Sequence, residues 1–530
     1  MNEPARMPGY QNTYHLDPAD TDGVVFPAEN RLPDGYRLET AETAVELRNY
    51  YDTFEWQAFD HGLAVASVGR NIYIYDLDSG RRITAARFAA PASFFASKLP
   101  EGALRSRLRG VSDIRAYGRL ARIRVEQSSW KLLDSEEKTI GTLWLERWSA
   151  RQREGAPLAS IISLAPLRGY HDEFAALATL LLPESALPDE SGLRRPFIAA
   201  MAAEGLEVGG YSSKIDLQLR ADAPIHESAL GLLRFTTEIM RRNEEGIRGS
   251  IDTEFLHDYR VSIRRARSIL AQLKGVFPAE EAGRCARALK RVAAKTGELR
   301  DTDVYLLEEE RFRSWLPEAL HLGLDRFIAE LQRRQKALQR SFSRYLASEA
   351  YAEFLREWGE FIDESRLPDP GQAPEAGRPT IEIARSSIRK AWKKVIRHGR
   401  RVSRETTDEE LHAMRIDCKK LRYLLEFFAS LFPNKSVLPA VGHLKRLQDN
   451  LGGFVDCSVQ LEFLRHHLDR AQNRNPDVGL AAAVGGLMTV LHERQEKARC
   501  QFHKTFSRFD SDETAELFRN LTTHRDRLSQ

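Results

Sequence analysis

One histidine and three arginines stand at His257, Arg260, Arg264 and Arg267, and a matching set stands 155 positions later at His412, Arg415, Lys419 and Arg422. On a helix advancing by ~100° per residue, each set falls within an arc of about 80°. Guanidinium forks and ammonium point charges suit phosphate oxygens, and an imidazole donates as well once protonated. Like charges four residues apart repel by about 0.2–0.5 kcal/mol per pair, and a merely solvated face mixes its signs. The chemistry open to such a face is to hold a polyanion.

Further cations join these sets. Arg385, Arg389, Lys393 and Arg397 form a four-residue ladder, Arg234 precedes the first histidine, and Lys290-Arg291 recurs as Lys445-Arg446. Arg265 and its counterpart Lys420 lie next to the stripes. The expected binding set is therefore Arg234, His257, Arg260, Arg264, Arg265, Arg267, Lys290, Arg291, Arg389, Lys393, Arg397, His412, Arg415, Lys419, Lys420, Arg422, Lys445 and Arg446. If the two halves pack about a pseudo-twofold axis, the stripes converge into one groove or channel.

The elements that must position these side chains read as helices. Opposite the first stripe run Phe255, Tyr259, Ile263, Ala266 and Leu270, and opposite the second Met414, Cys418, Leu421 and Leu425, with Glu410 in place of the leading aromatic. Each helix thus has a core face and a basic face. The 155-residue shift also superposes Phe277-Pro278 on Phe432-Pro433, Gly297 on Gly452 and Asp301 on Asp456. An ungapped match over some seventy residues marks a tandem duplication. The Phe-Pro pairs read as helix terminators, and the two aspartates as partners of the cationic faces or as caps. A Pro/Gly-rich stretch from Leu367 to Pro379 separates the halves. The expected all-α domain covers 223–525, with halves 223–365 and 380–525.

Before it, residues 10–220 read as an α+β domain. Strand patterns occur at Asn71–Tyr75, Ala121–Val125 and Thr142–Glu146, with a turn at Asp78–Gly80. Helical stretches lie near Gly169–Leu182 and Arg195–Glu204.

Composition narrows the class. The 530 residues carry a net charge of +3, split into −4 over residues 1–220 and +7 over the remainder. No apolar run is long enough to span a membrane, and the sequence opens without the basic and apolar regions of a signal peptide. Cys285, Cys418, Cys457 and Cys500 are too scattered for a disulfide framework or a zinc site, and are expected as small buried helix residues in a cytoplasmic protein. No cofactor and no metal are expected. The basic helices lack stacking aromatics and base-reading motifs, so specific nucleic-acid recognition is not expected either.

The helical part resembles the conserved histidine α-helical family, CHAD, through Leu256-His257-Asp258-Tyr259-Arg260, Arg264-Arg265, Gly297-Glu298-Leu299-Arg300-Asp301, and their later copies at Leu411-His412, Arg415, Lys419-Lys420 and Leu451-Gly452. The resemblance implies two pseudo-twofold-related helical bundles that bind inorganic polyphosphate through these His, Arg and Lys side chains, in proteins associated with polyphosphate granules in bacteria. One departure is Val455, which stands where the first copy has Arg300.

The N-terminal part is similar to the CYTH, or triphosphate tunnel, superfamily through Tyr50-Tyr51-Asp52-Thr53, the strand at Arg122-Ile123-Arg124, Leu143–Glu146 and a closing Ser213-Lys214-Ile215. That implies a β-barrel or tunnel. The superfamily's Glu-x-Glu-x-Lys metal motif is not found, because Glu39, Glu42 and Glu46 have the wrong spacing. The expectation is a polyphosphate-binding protein without catalysis, able to form oligomers. Its rivals are a metal-dependent triphosphatase or polyphosphatase and a basic module for nucleic acid or acidic protein.

Overall fold

The computed structural model describes residues 13–16, 26–150, 157–188, 192–364, 366–403, 405–472 and 477–523, without the side chains of Glu42 and residues 470–472. The chain divides into two compact units, Met1–Ser212 and Ser213–Gln530.

The first unit is built on one antiparallel sheet. Its strands are β1 (Thr13–Leu16), β2 (Arg37–Asp52), β3 (Leu63–Val68), β4 (Asn71–Asp76) and β5 (Arg82–Arg87). They continue as β6 (Ser93–Phe94), β7 (Tyr117–Leu133), β8 (Thr139–Ala150), β9 (Ala159–Pro166) and β10 (Leu187–Pro188). The order is β10-β1-β9-β8-β7-β2-β3-β4-β5, with β6 on β7. Among the described residues this ladder keeps two ends, so hydrogen bonds do not close the expected barrel or tunnel. Alternation along β7 buries Ala121, Ile123 and Val125 on one face, where Tyr50, Tyr75, Trp148 and Phe197 complete an apolar cluster. Four helices accompany the sheet, α1 (Gln57–Asp60), α2 (Ala103–Val111), α3 (His171–Leu181) and α4 (Arg194–Ala203).

The second unit is helical. Its first half holds α5 (Ile225–Arg248), α6 (Thr253–Gln272), α7 (Ala279–Lys295), α8 (Gly297–Leu307), α9 (Glu309–Trp315), α10 (His321–Leu346) and α11 (Glu349–Asp363). Its second half holds α12 (Thr380–Gly399), α13 (Asp408–Phe427), α14 (Asn434–Gln472), α15 (Val478–Phe509) and α16 (Asp512–Thr522).

Shifted by 155 positions, both bounds of α6 fall on those of α13, and the first residues of α5 and α7 fall on those of α12 and α14. Pro224 and Pro379, which precede α5 and α12, face each other in an antiparallel bridge. Ser228 and Thr380 are hydroxyl-bonded at 2.8 Å beside it. The Phe-Pro pairs correct the sequence reading: α6 ends at Gln272 and α13 at Phe427, while Pro278 and Pro433 immediately precede α7 and α14. A proline has no N–H to lose at a helix start, so the pairs open helices rather than end them.

The halves differ where α7 and α8 become one helix, α14. Thr296 lies at the break and turns its hydroxyl back onto the Ala293 carbonyl at 2.7 Å, competing with the helical ladder. Its counterpart Leu451 is 1% exposed and carries the helix through. The halves share a core in which Phe327, Leu324 and Phe312 pack with Leu464, Leu480 and Leu487. Among the described residues no helix is long and apolar enough to cross a membrane.

Candidate anion-binding site

The phase of the two repeated helices is set at their first turns. Asp252 accepts the backbone N–H groups of Glu254 and Phe255 at the start of α6. α13 starts instead on a capping box, with Thr407 accepting from the Glu410 N–H and Glu410 accepting from the Thr407 N–H. That box explains why Glu410 replaces the leading aromatic of the first copy. Beyond the caps, Phe255, Tyr259, Ile263, Ala266 and Leu270 are buried on α6, and Met414, Cys418, Leu421 and Leu425 on α13. The basic faces are therefore left outward from each core.

α6 and α13 pack against each other, and the seam between them collects cations from both copies. Lys419 is half-buried. Burial, followed by the charges of Arg415, Arg264 and Arg422, pushes its pKa down to about 8, against a smaller opposing pull from Asp456. Arg260 is half-buried too and donates to the Ala293 carbonyl at 3.3 Å and to the Thr296 hydroxyl. Burial lowers its pKa while Asp301 opposes the shift. Arg415 donates to Asp456 at 2.9 Å. Neither Arg264 nor Lys419 has an ion pair or hydrogen bond among the described residues. The arrangement is a half-buried line of Arg260, Arg264, Lys419 and Arg415 with fewer carboxylates than cations, a surface suited to an extended anion.

The two histidines part company. His257 is half-buried, and burial holds its pKa below the ordinary value against the pull of Glu254. His412 is exposed.

Several expected site residues stand apart from the seam. Arg265 points away, donating to the Ser213 carbonyl at 2.5 Å and to Glu426 at 3.5 Å. Arg422 also donates to Glu426, at 2.6 Å, so it is already half neutralised. Arg389 donates to the Thr522 carbonyl at 2.6 Å. Lys393 and Arg397 are exposed on α12, as are Lys290 and Arg291 on α7, Lys445 and Arg446 on α14, and Arg234 on α5. Arg267 is half-buried on α6. Among the described residues no hydrogen bond or ion pair links any of these to the seam. Lys420 lines a separate cavity with Lys274, Lys390 and Lys394. Sequence reasoning missed the last three, although Lys390 and Lys394 repeat the four-residue spacing of the α12 ladder one position on.

The aspartates and cysteines are also resolved. Asp456 is an internal partner, of Arg415, and neither it nor Asp301 caps a helix. Cys285 and Cys418 are buried, but Cys457 is half-buried and Cys500 exposed, against the expectation of four buried residues. Arg300, replaced by Val455 in the second half, donates to the Thr253 carbonyl and to Glu254, each at 3.2 Å. It clamps α8 to the start of α6, while Val455 is simply buried.

In the sheet unit, Arg48 is 1% exposed and lies between Glu46 at 2.8 Å and Glu146 at 3.0 Å. Trp148 donates its indole N–H to Glu146 at 2.9 Å. Arg122 is tied to Asn49 at 3.0 Å and Arg124 to Glu126 at 2.9 Å. Asp52 of the Tyr-Tyr-Asp-Thr motif accepts the N–H groups of Thr53, Ala58 and Phe59, so its role is to fold the turn into α1. Ser213–Ile215, read as the closing segment of the N-terminal domain, is not a strand and belongs to the second unit. The Glu42 side chain lies outside the described residues. Among those residues no group of three or more His, Cys, Asp and Glu side chains is placed to hold a metal ion.

Residues 231–465 match the family model of the CHAD domain. Among solved structures, the crystal structure of the CHAD domain from the plant Ricinus communis is 24% identical, covering 56% of this chain and 96% of that one, with a TM-score of 0.48. PptA from Streptomyces chartreusis is 17% identical over 54% of this chain and all of that one, with a TM-score of 0.36. None of the curated proteins matches this chain.

Proposed function

Since residues 231–465 are a CHAD domain, we propose that the helical unit binds inorganic polyphosphate along the seam between α6 and α13. The observation that carries this reading is the meeting of Arg264 with Lys419 and Arg415 from the other half, half-buried and under-neutralised. Holding like charges together in a partly desolvated place is unfavourable until an anion arrives. A phosphate polymer relieves several of them at once and releases its counterions.

The seam's cations come without stacking aromatics, which favours a polymer lacking bases over single-stranded nucleic acid. The protein is accordingly read as polyphosphate-associated, cytoplasmic and granule-bound. For the sheet unit we propose a CYTH-like origin without catalysis. Its antiparallel architecture supports that origin, and Glu46 and Glu146 are engaged with Arg48.

The test is titration of the full chain with long-chain polyphosphate and with single-stranded RNA of matched charge at near-physiological salt. Tight binding of polyphosphate with weak binding of RNA is expected. Equal affinity, or no binding of polyphosphate, overturns the reading.

A further inference from the structure

A cavity of about 560 Å³ opens between the end of α6, α12 and α13. Its rim is built by the stretch between the halves: the Glu375 N–H bonds to the Gly275 carbonyl at 2.9 Å, just beyond α6. Gly275 has φ +78°, and a Cβ there would meet the Glu375 side chain at 3.1 Å, so this turn favours glycine.

Lys274, Lys390, Lys394 and Lys420 all face this cavity. It also holds two carboxylates, but both are already occupied. Asp417, 5% exposed, accepts from Lys394 at 2.7 Å and from His398 at 3.1 Å. Glu375 is paired with Arg378 at 2.7 Å. Lys274, Lys390 and Lys420 therefore remain, exposed and without an ion pair or hydrogen bond among the described residues. Ser386, whose hydroxyl donates to the Ile383 carbonyl at 3.1 Å, and Ser387 complete the lining.

This place is not the seam. Lys420 is one residue, hence about 100°, round the helix from Lys419. Lys390 and Lys394 are displaced by the same angle from Arg389 and Lys393. The cavity is lined by parts of three helices and by the turn after α6, and its small volume suits a compact anion better than a passing polymer. Three uncompensated ammonium groups match an ion that concentrates several charges on tetrahedral oxygens.

We propose that this cavity is a second anion site that takes a compact oligophosphate group, independent of the seam. The proposal stands whether or not the seam binds a polymer.

The experiment is calorimetric titration of the full chain with inorganic tripolyphosphate and, separately, with citrate. It is run on the unaltered protein, on Lys274→Glu/Lys390→Glu and on the seam variant Arg264→Ala/Lys419→Ala. Both cavity lysines are exposed, so helix content by circular dichroism should be unchanged. The cavity variant is expected to bind tripolyphosphate at least about tenfold more weakly, and the seam variant less than about threefold more weakly. Citrate should bind worse than tripolyphosphate to the unaltered protein. Undiminished binding by the cavity variant, equal losses in both variants, or equal affinity for citrate would each overturn the proposal. So would the absence of any tripolyphosphate binding.

Discussion

Arg415 donates to Asp456 at 2.9 Å, bridging α13 to α14, whereas Arg260 and Asp301, their counterparts 155 positions earlier, form no such hydrogen bond. Arg260 instead reaches the Ala293 carbonyl and the Thr296 hydroxyl, which exist as partners only because α7 breaks at Thr296. The second copy keeps its helix continuous and neutralises its arginine with a carboxylate. The two ends of the seam therefore differ in pairing: Asp301 acts on Arg260 without a hydrogen bond, whereas Arg415 is covered by an aspartate whose side chain is 63% exposed.

Removing that cover should help an anion. Asp456→Asn frees Arg415 while keeping the side chain's shape. Polyphosphate affinity should rise by about 0.5–1 kcal/mol, roughly two- to fivefold, the scale of one exposed pair. Asp301→Asn should gain less, because no hydrogen bond is released. Titration at fixed salt decides it, and equal gains at both positions would show that the asymmetry does not matter.

The pH response should come from Lys419 more than from His257. Lys419 titrates near 8 in the folded chain against an ordinary 10.5. The unfolded chain thus holds this proton more tightly, and between those values the free protein gains stability as pH rises. Polyphosphate needs the ammonium, so its affinity should fall severalfold from about pH 7 to 9. His257 is held below its ordinary pKa, which moves any gain from its protonation to lower pH than an unperturbed histidine would give. Lys419→Arg, which stays charged, should flatten the alkaline fall. Persistence of the full fall in that variant would place the titrating group elsewhere.

The seam was legible in part, for a reason visible at single residues. Helix phase and the core face follow from local spacing, so α6 and α13 could be placed from Tyr259, Ile263, Met414 and Cys418 alone. Which cations meet depends on contacts far apart in sequence. Glu426, which draws off Arg265 and Arg422, lies 161 residues from Arg265. Nothing local marks Arg265 as turned away, or Lys420 as facing a cavity with Lys390. In the sheet unit, a motif within one strand shows as a local spacing of glutamates, whereas Glu146 reaches Arg48 from 98 residues later. A charge pair built across strands leaves no periodic trace.

Salt should report how many cations the polymer engages. For flexible phosphate chains each neutralised charge contributes about 0.7 to the slope of log affinity against log salt. Replacing Arg260, Arg264, Arg415 and Lys419 together by alanine should lower that slope by about three and abolish binding near physiological salt. Helix content should persist, since all four lie off the core. An unchanged slope would move the contact surface to the outer lysines and arginines of α7, α12 or α14.

The sheet unit offers a stability test that leaves the seam untouched. Arg48 and Glu146 are each 1% exposed, and Glu146 accepts from both the guanidinium and the Trp148 indole. Glu146→Gln would leave a buried guanidinium still paired with Glu46. Breaking a buried pair costs about 3–5 kcal/mol, and the surviving Glu46 contact sets the expectation at the lower end, about 3 kcal/mol. Leu47→Thr, on the opposite face and 46% exposed, should change stability by no more than ~0.5 kcal/mol. Urea unfolding followed by tryptophan fluorescence separates the two, because Trp148 sits against the ion pair. A loss below about 1 kcal/mol for Glu146→Gln would mean that Glu46 alone compensates Arg48, and polyphosphate affinity should be the same in both variants.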